Sequence, residues 1–424
     1  MLRLVVLMVG VFFVAVGMWF HIVKPFDKKI AETKQESPIG LKAEGKPQPL
    51  KPSVSKAQKA VLSFGENPDA YFEPGELVVT NSFKSFATAA EINGYRTIET
   101  VELTSLDLML HRLRVPAGID MRRARRDLAA KFPSVTVDFN HRFQAQSEGS
   151  FVYKAHARST IGWSDTTPTC GRGTRIGMID TAIDPDHPAL KGRKIQFRSF
   201  HNPESSPGPT SHGTAIAGML VGNTEWGGLL PGAALYAVNM FEQRRNGEIV
   251  SNAVMMMKGI DWLTRQKVHV INLSIAGADN KVIDQIVKKV SRKGIALVAA
   301  AGNWGITGKP AYPAAYKSVI AVTALNEDRK SLYAHSGRGD YIDFAAPGAN
   351  IWAASFGTGG RYQSGTSLAA TYITALSALY VSAGYGKTPD ALRSLFRRAA
   401  NDLGAPGKDP EFGWGFVNVQ PKCA

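Results

Sequence analysis

The sequence predicts an α/β protein, with a doubly wound, mainly parallel sheet preceded by a small α+β module. From about residue 161 onward, short apolar strands alternate with helical patterns. This alternation is typical of parallel strands covered by helices on both faces. Residues 75–142 instead follow the order βαββαβ, which predicts a ferredoxin-like sandwich. The two textures together predict two domains of different architecture.

The length and composition are consistent with this division. A chain of 424 residues exceeds one typical domain, and 44% hydrophobic residues with 41 Gly indicate a globular, loop-rich protein. The net charge is +15, but the basic residues are scattered. Their densest cluster, Arg122–Arg126, lies on an amphipathic helical pattern. We therefore expect a solvated basic face and no nucleic-acid partner.

The chain begins with an uninterrupted apolar run, residues 4–20, which predicts a signal peptide or membrane anchor over residues 1–23. Apolar residues continue to Val23, and this favours an anchor. Three lysines soon after the run outnumber the one arginine before it, which by the positive-inside rule favours a cytoplasmic C-terminal side. We nevertheless expect export, either to the cell envelope or as a secreted protein. A buried core helix is the alternative.

Residues 24–60 are rich in Lys, Glu, Pro and Ser and predict a disordered spacer. The α+β domain then occupies residues 61–145. Its predicted elements, in chain order, are a strand at 76–80, a helix at 85–93, strands at 97–103 and 106–115, a helix at 120–132 and a strand at 135–139. This fold alone does not indicate a function.

The larger domain, residues 160–424, has the alternating pattern. Its predicted strands are 175–179, 234–240, 268–273, 295–300 and 319–323, and its predicted helices are 215–221, 253–266, 281–293 and 368–383. In open parallel sheets, sites form beyond the carboxyl ends of the strands. Asp180 and Asn303 follow two of these strands, and His212 and Ser367 open two of the helices. We therefore expect these side chains at one edge of the sheet.

The chemistry of these four residues points to acyl transfer. Ser367 stands at a helix start, where the unpaired N–H groups favour developing negative charge. His212 is the candidate base, and Asp180 is the candidate acid that orients its imidazole. Asn303 and the backbone N–H of Ser367 are the candidate oxyanion donors.

Four segments carry a family resemblance. Ile179-Asp180-Thr181, Ser211-His212-Gly213-Thr214, Ala300-Ala301-Gly302-Asn303 and Gly365-Thr366-Ser367 resemble the signature blocks of subtilisin-like serine peptidases, in that family's order Asp, His, Ser. The resemblance spans roughly residues 160–420. It implies a seven-stranded parallel core and endopeptidase activity.

The resemblance also implies a role for the α+β domain. That domain resembles the family's propeptide, an intramolecular chaperone and inhibitor, with cleavage expected between about Gln144 and Thr160. An unrelated ferredoxin-like binding domain is the alternative reading.

The substrate-binding residues are likewise implied by the resemblance. They are Ser274, Ile275, Ala276, Gly277, Ala300, Ala301, Gly302 and Ala311. The small walls and uncharged base favour medium or large apolar residues before the scissile bond. A second substrate-binding segment is expected near residues 239–247. Ala182, Leu368 and Thr371 depart from the family pattern, which bears on local backbone fit and removes no proton carrier.

The chain has 2 Cys, Cys170 and Cys423, in no metal-ligand pattern. In an exported protein a disulfide between them is plausible and would stabilise the fold by roughly 4–5 kcal/mol in the chain-entropy model. Two unrelated thiols are the alternative. We expect no metal site and no cofactor.

The sequence therefore predicts a serine endopeptidase, made as a self-processing zymogen, that acts on proteins or peptides. Two alternatives remain open. One is a catalytically silent binding protein of the same fold, and the other is an esterase or acyltransferase using the same three residues.

Overall fold

The computed structural model describes residues 71–145, 148–149, 156–163, 167–307, 309–420 and 423. All of them belong to one compact unit, Val54–Ala424. The N-terminal apolar run, the spacer and residues 146–147 and 150–155 of the expected cleavage region lie outside the described residues. Within the described part, no helix has both the length and the apolar character needed to cross a membrane.

Residues 71–145, called the N-terminal module below, form the βαββαβ arrangement that the sequence predicts. Its elements are β1 (Phe72–Thr80), α1 (Phe86–Ile92), β2 (Arg96–Leu103), β3 (Leu108–Arg114), α2 (Met121–Lys131) and β4 (Thr136–His141). The strands form one antiparallel sheet in the order β2-β3-β1-β4. Asp120 begins α2 because its side chain accepts a hydrogen bond from the backbone N–H of Arg123.

The module buries both faces of its sheet. On one face, alternate strand residues pack against the apolar stripes of the two helices; the core includes Leu77, Val79, Phe86, Leu113, Leu128 and Phe139. On the other face, Val78, Leu108 and Leu110 share a core with the larger domain. The two domains therefore share apolar packing.

Residues 156–423 are called the C-terminal domain below. Two short strands precede this domain and connect it to the module: β5 (Phe143–Ala145) and β6 (Glu148–Gly149). Its first elements are α3 (Ala157–Thr160), β7 (Arg175–Asp180), β8 (Lys194–Ser199), β9 (Ser206–Pro207), α4 (Ser211–Val221), β10 (Ala234–Asn239), β11 (Phe241–Gln243), β12 (Ile249–Ser251), α5 (Ala253–Arg265), β13 (Val270–Leu273) and β14 (Ile275–Gly277).

The domain continues with α6 (Lys281–Arg292), β15 (Ala296–Ala300), β16 (Ile320–Leu325), β17 (Phe344–Pro347), β18 (Ile351–Ala354), β19 (Gly360–Ser364), α7 (Thr366–Ser382), α8 (Pro389–Arg397), β20 (Ala400–Asn401) and β21 (Phe416–Val417). Short 3₁₀ turns lie at Thr224–Trp226 and Gly305–Thr307.

The central sheet has the order β20-β21-β17-β16-β15-β13-β7-β10-β8. Seven neighbouring strands, β17 through β8, run parallel, which agrees with the expected core. Two short strands extend one edge: β21 is parallel to β17, and β20 is antiparallel to β21. The predicted α/β class is therefore confirmed, with two additional edge strands.

Helices cover both faces of this sheet. Residues of α4 and α7 pack in one apolar cluster, and residues of α5 and α6 pack in the other. Along β7, Met178 faces the first cluster and Ile179 the second, as the alternation of strand side chains requires. This arrangement is the doubly wound fold that the sequence predicts.

Cys170 and Cys423 form a disulfide, with their Cα atoms 4.9 Å apart. The predicted pairing is therefore confirmed. The Trp163 Nε1–H also donates to the carbonyl oxygen of Val419, so two contacts hold the C-terminal segment to the start of the domain.

Candidate active site

Asp180 and His212 form a buried pair at the carboxyl edge of the sheet. Asp180 is the last residue of β7, and His212 lies in the first turn of α4. His212 Nδ1 lies 2.6 Å from Asp180 Oδ1, and the same oxygen accepts the backbone N–H of Thr181. Asp180 is fully buried, and His212 is 9% exposed. The carboxylate is therefore placed to fix the orientation of the imidazole.

Gly213 explains how the helix start reaches the strand end. A Cβ at this position would lie 2.4 Å from the carbonyl oxygen of Ala182 and 2.6 Å from that of Thr181. The Gly213 N–H also donates to Thr181 Oγ1. Because only glycine permits this close approach, it brings His212 down onto Asp180. The group of Ala182 that lies against the helix start is its backbone carbonyl oxygen.

Ser367 is the second residue of α7, and Gly365, two residues before it, makes the turn that precedes the helix. Gly365 has φ = 150°, a backbone conformation that other residues rarely adopt. Ser367 is fully buried, and its hydroxyl donates to the carbonyl oxygen of Ser274 at 3.3 Å. Since Ser274 directly follows β13, the neighbour of β7, the serine lies at the same sheet edge as Asp180.

The expected hydrogen bond between the imidazole and the hydroxyl is not formed in this structure. Among the described residues, His212 Nε2 has no hydrogen-bond partner, while the Ser367 hydroxyl is engaged by Ser274. Catalytic hydrogen bonds often form only once substrate is bound.

Asn303 is held by Thr366, the residue before the serine. Its side-chain Oδ1 accepts hydrogen bonds from the backbone N–H and the hydroxyl of Thr366, both at 3.0 Å. Because Oδ1 is the acceptor in this pairing, Nδ2 is the end of the amide that can donate a hydrogen bond. The sequence motif contains Thr366, but its spacing alone does not reveal this positioning role.

Strand β14, which contains three predicted substrate-binding residues, pairs with β5 of the N-terminal module. Ile275, Ala276 and Gly277 lie opposite Ala145, Gln144 and Phe143 in an antiparallel ladder. A segment of the same chain therefore occupies the edge at which we expected a substrate strand.

The opposite edge of β5 is held by Ser251. Its hydroxyl donates to the carbonyl oxygen of Phe143 at 2.6 Å and accepts the Phe143 N–H at 3.2 Å. This contact lies just beyond residues 239–247, where a second substrate-binding segment is expected, and that expectation stays a prediction. A serine at the end of a short strand gives no sequence signal for this contact.

The remaining predicted binding residues come together beside β14. Ala300 ends β15, and Ala301 and Gly302 follow it. A Cβ on Gly302 would lie 2.9 Å from the Cβ of Ala311, and the residue after Ala311, Tyr312, exchanges backbone hydrogen bonds with Gly277. Ala300, Ala301 and Ala311 carry only a methyl group and Gly302 has no side chain, so these four residues form a small, uncharged wall.

The segment that follows β5 makes a second strand contact with the C-terminal domain. Strand β6 pairs antiparallel with β19, so that Glu148 lies opposite Ser364 and Gly149 opposite Gln363. Strand β5 therefore pairs beside Ser274, which bonds to Ser367, and β6 pairs with the strand that leads into the serine's helix.

No group of three or more His, Cys, Asp or Glu residues in the described part of the chain is arranged to hold a metal ion.

Comparison with known proteins agrees with this geometry. The sequence profile of the Subtilase family matches residues 171–415, more than half of the chain. The chain is 34% identical over 261 residues to minor extracellular protease Epr of Bacillus subtilis, covering 60% of this chain and 39% of that protein. It is 33% identical over 260 residues to subtilisin of Bacillus pumilus, covering 59% of this chain and 90% of that protein.

A solved structure is similar in fold. Fervidolysin from Fervidobacterium pennivorans, a keratinolytic enzyme related to subtilisin, superposes with a TM-score of 0.66 at 20% identity, covering 84% of this chain and 62% of that one. The match to Epr and the match to fervidolysin each span less than two thirds of the other protein.

Proposed function

The chain belongs to the subtilase family, and we propose that it is a serine endopeptidase that hydrolyses peptide bonds through an acyl-enzyme on Ser367. The observation that carries the proposal is the buried Asp180–His212 hydrogen bond, formed at the sheet edge where Ser367 begins α7. A carboxylate, an imidazole and a hydroxyl arranged in this order are what nucleophilic acyl transfer requires.

In the proposed mechanism, Ser367 Oγ attacks the carbonyl carbon of the scissile peptide bond. Its proton passes to His212 Nε2, the ring nitrogen that has no partner among the described residues. His212 then gives the proton to the nitrogen of the leaving amine, and water hydrolyses the acyl-enzyme in the reverse sense. Asp180 stabilises the imidazolium that forms in both half-reactions.

The negative charge that develops on the carbonyl oxygen has two proposed donors. One is Asn303 Nδ2, positioned by the two hydrogen bonds that Thr366 donates to Oδ1 of the same amide. The other is the backbone N–H of Ser367, one of the first-turn groups of α7 that have no acceptor within the helix. The positive end of the helix dipole adds to this stabilisation.

The proposed substrate is a protein or peptide bound as an extended strand on β14. The pairing of β5 with this strand supports the proposal, because it demonstrates that an extended segment fits there. Main-chain hydrogen bonds of this kind give affinity without strict sequence demand. Ala300, Ala301, Gly302 and Ala311 are the proposed walls of the pocket beside the scissile bond.

We also propose that the N-terminal module is an inhibitory propeptide. Strand β5 blocks the substrate edge, and the ladder and the Ser251 contact fix it there. One relative, minor extracellular protease Epr, is named as extracellular, and this supports export of this chain. Residues 1–23, the proposed signal peptide or anchor, lie outside the described residues.

The test compares purified wild-type protein with Ser367→Ala and with Ser377→Ala. The control residue is a buried serine on the same helix whose hydroxyl has no hydrogen-bond partner among the described residues. We expect hydrolysis of a peptide panel by the wild type and the control, and a loss of about 10⁴–10⁶ in Ser367→Ala. Equal peptide hydrolysis by all three proteins, or hydrolysis of simple esters alone, would contradict the proposal.

A further inference from the structure

We infer that the C-terminal domain binds the surface of a membrane rich in anionic phospholipids, through the edge of its central sheet that lies opposite the candidate active site. This edge, called the amino-edge face below, consists of the first residue of each of the seven parallel strands β7, β8, β10, β13, β15, β16 and β17, the three residues before each, and the loop 382–388 after α7. The inference goes beyond the proposed function and does not depend on it.

The strand starts of the amino-edge face are strongly basic. Asp343 is the one acidic residue among them, and it is only 5% exposed and bonds to Arg393 at 2.9 Å. Against it stand eight basic residues: Arg172, Arg175, Lys191, Arg193, Lys194, Lys267, Lys293 and Lys317. Six of the eight are exposed, and the other two are half-buried. The face therefore presents a broad positive charge to solvent.

The carboxyl edge of the same seven strands has the opposite character. In the described segments made of the last residue of each strand and the three residues after it, there is no Lys or Arg. The acidic residues there are Asp180, Glu242, Glu327 and Asp328. Charge is therefore segregated between the two edges of one sheet, and the candidate active site lies at the acidic edge.

Helix dipoles explain only part of this segregation. Lys267 and Lys293 directly follow the ends of α5 and α6, where the partial negative charge of a helix attracts cations. The other six basic residues lie at the starts of β7, β8 and β16, which the chain enters from loops. Within the described part of the chain, none of the eight forms an ion pair. Their charges are therefore available to an external partner.

The cations lie close together across the strands. Arg175 and Lys194 both pair with Ala234, from its two sides, which places their backbones about 10 Å apart. His269 Nδ1 accepts the Arg175 N–H, and burial together with the charges of Arg175 and Lys387 lowers the pKa of His269. The histidine therefore lies beside two cations that no acid separates from it.

The loop after α7 belongs to the same face. The Thr174 hydroxyl donates to Ser382 Oγ at 3.2 Å, and the Lys387 side chain lies 3.5 Å from where a Cβ on Gly294 would be. The exposed acid Asp390 follows this loop, but it is paired with Arg393 at 3.0 Å. The loop therefore adds Lys387 to the positive face.

An apolar cleft opens within the amino-edge face. Its volume is about 590 Å³, and its lining includes Arg172, Leu379, Tyr380, Tyr385 and Val419. Tyr385 is 67% exposed, so its ring is available to a partner. Tyrosine is favoured at membrane interfaces because its ring is apolar and its hydroxyl is polar.

These two features together favour a lipid surface over a fully charged polymer. Phosphate headgroups match the dispersed cations, and the cleft and Tyr385 match the apolar layer beneath the headgroups. The apolar run that the sequence predicts as a signal peptide or anchor, residues 4–20, agrees with a location at a membrane. Bound in this way, the domain turns Ser367 away from the lipid, toward soluble polypeptides.

The main experiment measures co-sedimentation of the full chain, as Ser367→Ala, with two kinds of vesicle. One contains about 30% phosphatidylglycerol in phosphatidylcholine, and the other contains phosphatidylcholine alone. We expect at least about tenfold tighter binding to the anionic vesicles, with a loss of this preference at high salt. Equal binding to the two kinds of vesicle would overturn the inference.

A pair of triple variants tests which surface is responsible. Arg172→Glu, Lys194→Glu and Lys317→Glu together should weaken binding to the anionic vesicles by at least about 10²-fold, since each cation near an anionic surface contributes about fivefold. Arg122→Glu, Arg126→Glu and Lys131→Glu, all at exposed positions of α2, change the net charge equally and should retain the binding. An equal loss in the two variants would assign the effect to net charge and overturn the inference.

A second pair tests the apolar part of the face. Tyr385→Ser should weaken vesicle binding roughly 3–10-fold. Ile92→Ser, at an 80% exposed position of the N-terminal module, should leave it unchanged. If duplex DNA binds as tightly as the anionic vesicles and Tyr385→Ser weakens neither, the face binds polyanions in general and the lipid assignment is overturned.

Peptide hydrolysis separates this inference from the proposed function. With Ser367 intact, the triple variant of the amino-edge face should hydrolyse soluble peptides like the wild type, because its three substitutions lie at the opposite edge of the sheet. Loss of peptide hydrolysis in this variant would contradict the separation of the two edges and overturn the inference. Failure of vesicle binding leaves the proposed function standing.

Discussion

At the residue scale, the site depends on side chains that hold other side chains. Asp180 Oδ1 accepts both His212 Nδ1 and the Thr181 N–H, and Asn303 Oδ1 accepts two donors from Thr366. In each pair, the group proposed to contact the substrate, on His212 or Asn303, is oriented by a residue that is not proposed to contact it, Asp180 or Thr366. Such preorganised groups stabilise charge without reorganising at the moment of reaction.

Replacement of the oxyanion donor is the first prediction. Asn303→Ala should lower kcat by about 10²–10³ with little change in KM, because the amide stabilises charge that exists only in the transition state. Steady-state kinetics on one peptide substrate measure this split. Asn326→Ala is the matched control, since Asn326 also follows a strand but, within the part of the chain that the structure describes, its side chain bonds to its own loop. A large rise in KM with unchanged kcat would assign Asn303 to substrate binding.

The second prediction concerns pH and His111 in the N-terminal module. Burial lowers the pKa of His111 below its ordinary value of 6.5. The ring bonds to the hydroxyls of Ser82 and Thr100. As the pH falls below 6.5, His111 of the unfolded chain binds a proton more readily than His111 of the folded chain. The free energy of unfolding therefore has its full value above pH 6.5 and decreases as the pH drops through the lowered pKa.

Urea unfolding of Ser367→Ala protein at pH 5–8 measures this dependence, since that background cannot digest itself. Adding His111→Gln should reduce the loss of stability between pH 6.5 and 5. Burial also lowers the pKa of His269, so a residual slope should remain. An unchanged slope in the His111 variant would show that this histidine does not contribute.

Some of these proposed residue roles are easier to predict from the sequence than others. Asp180, His212, Asn303 and Ser367 stand at strand and helix ends, and the sequence reveals those ends. Thr366 and Ser251 were not assigned, because their roles depend on segments that are distant in the chain. No local pattern distinguishes them from other buried hydroxyl residues.

At the element scale, the central strands were predictable, whereas β8 and β17, the outermost of the seven parallel strands, were not. Strands β7, β10, β13 and β15 are buried apolar runs with clear sequence signals. Strand β8 is an exposed edge strand with alternating polar residues, and β17 contains two alanines and a proline. Both depend on a neighbouring strand that is already in place, so tertiary pairing decides them.

The contact between α4 and the loop after β7 gives the third prediction. Gly213→Ala would place a Cβ 2.4 Å from the carbonyl oxygen of Ala182, and this must move the helix start that carries His212. We expect a loss of about 1–3 kcal/mol in the free energy of unfolding. We also expect a loss of peptidase activity of at least about 10²-fold, as for other small misplacements of catalytic groups.

Gly359→Ala is the control for this variant, because a Cβ at that position meets nothing within 4 Å. Denaturation of both variants in the Ser367→Ala background and kinetics in the wild-type background separate stability from activity. Normal activity in Gly213→Ala would contradict the proposed coupling of His212 to this glycine.

At the scale of the whole molecule, the module and the C-terminal domain are joined by more than β5. Strand β4 caps two helices of the larger domain: Asn140 accepts the Val254 N–H at the start of α5, and Asp138 accepts the Lys281 N–H at the start of α6. Helix starts favour acceptors and negative charge. The module therefore satisfies backbone groups of the domain that it covers.

Ion pairs add to this interface. Glu73 of the module contacts Arg244 of the C-terminal domain at 2.9 Å, and Arg142 of the module contacts Glu248 at 3.0 Å. The carboxylate of Glu73 is nearly buried, with 9% of its side chain exposed. Glu73 also pairs with Arg142 of its own module at 3.2 Å, so Arg244 is the partner that this carboxylate has across the interface. Loss of either partner leaves a nearly buried charge less well compensated.

The fourth prediction follows from this pair. Arg244→Ala should weaken retention of the cut module by roughly 10–100-fold and bring forward the onset of peptidase activity after processing, because Glu73 loses its partner across the interface. Gel filtration and activity time courses measure both effects. Arg123→Ala, which removes an exposed ion pair on the outer helix of the module, should change neither. Equal behaviour of the two variants would show that the ion pair does not hold the module.

The central claim, that Ser367 is a nucleophile activated by His212, is tested most directly by mapping a fluorophosphonate adduct on the processed protein by mass spectrometry. We predict one phosphonate on Ser367, with labelling lost in Ser367→Ala and slowed strongly in His212→Ala. Labelling should be retained in Ser377→Ala. An adduct on another residue, or equal labelling of wild type and Ser367→Ala, would contradict the claim.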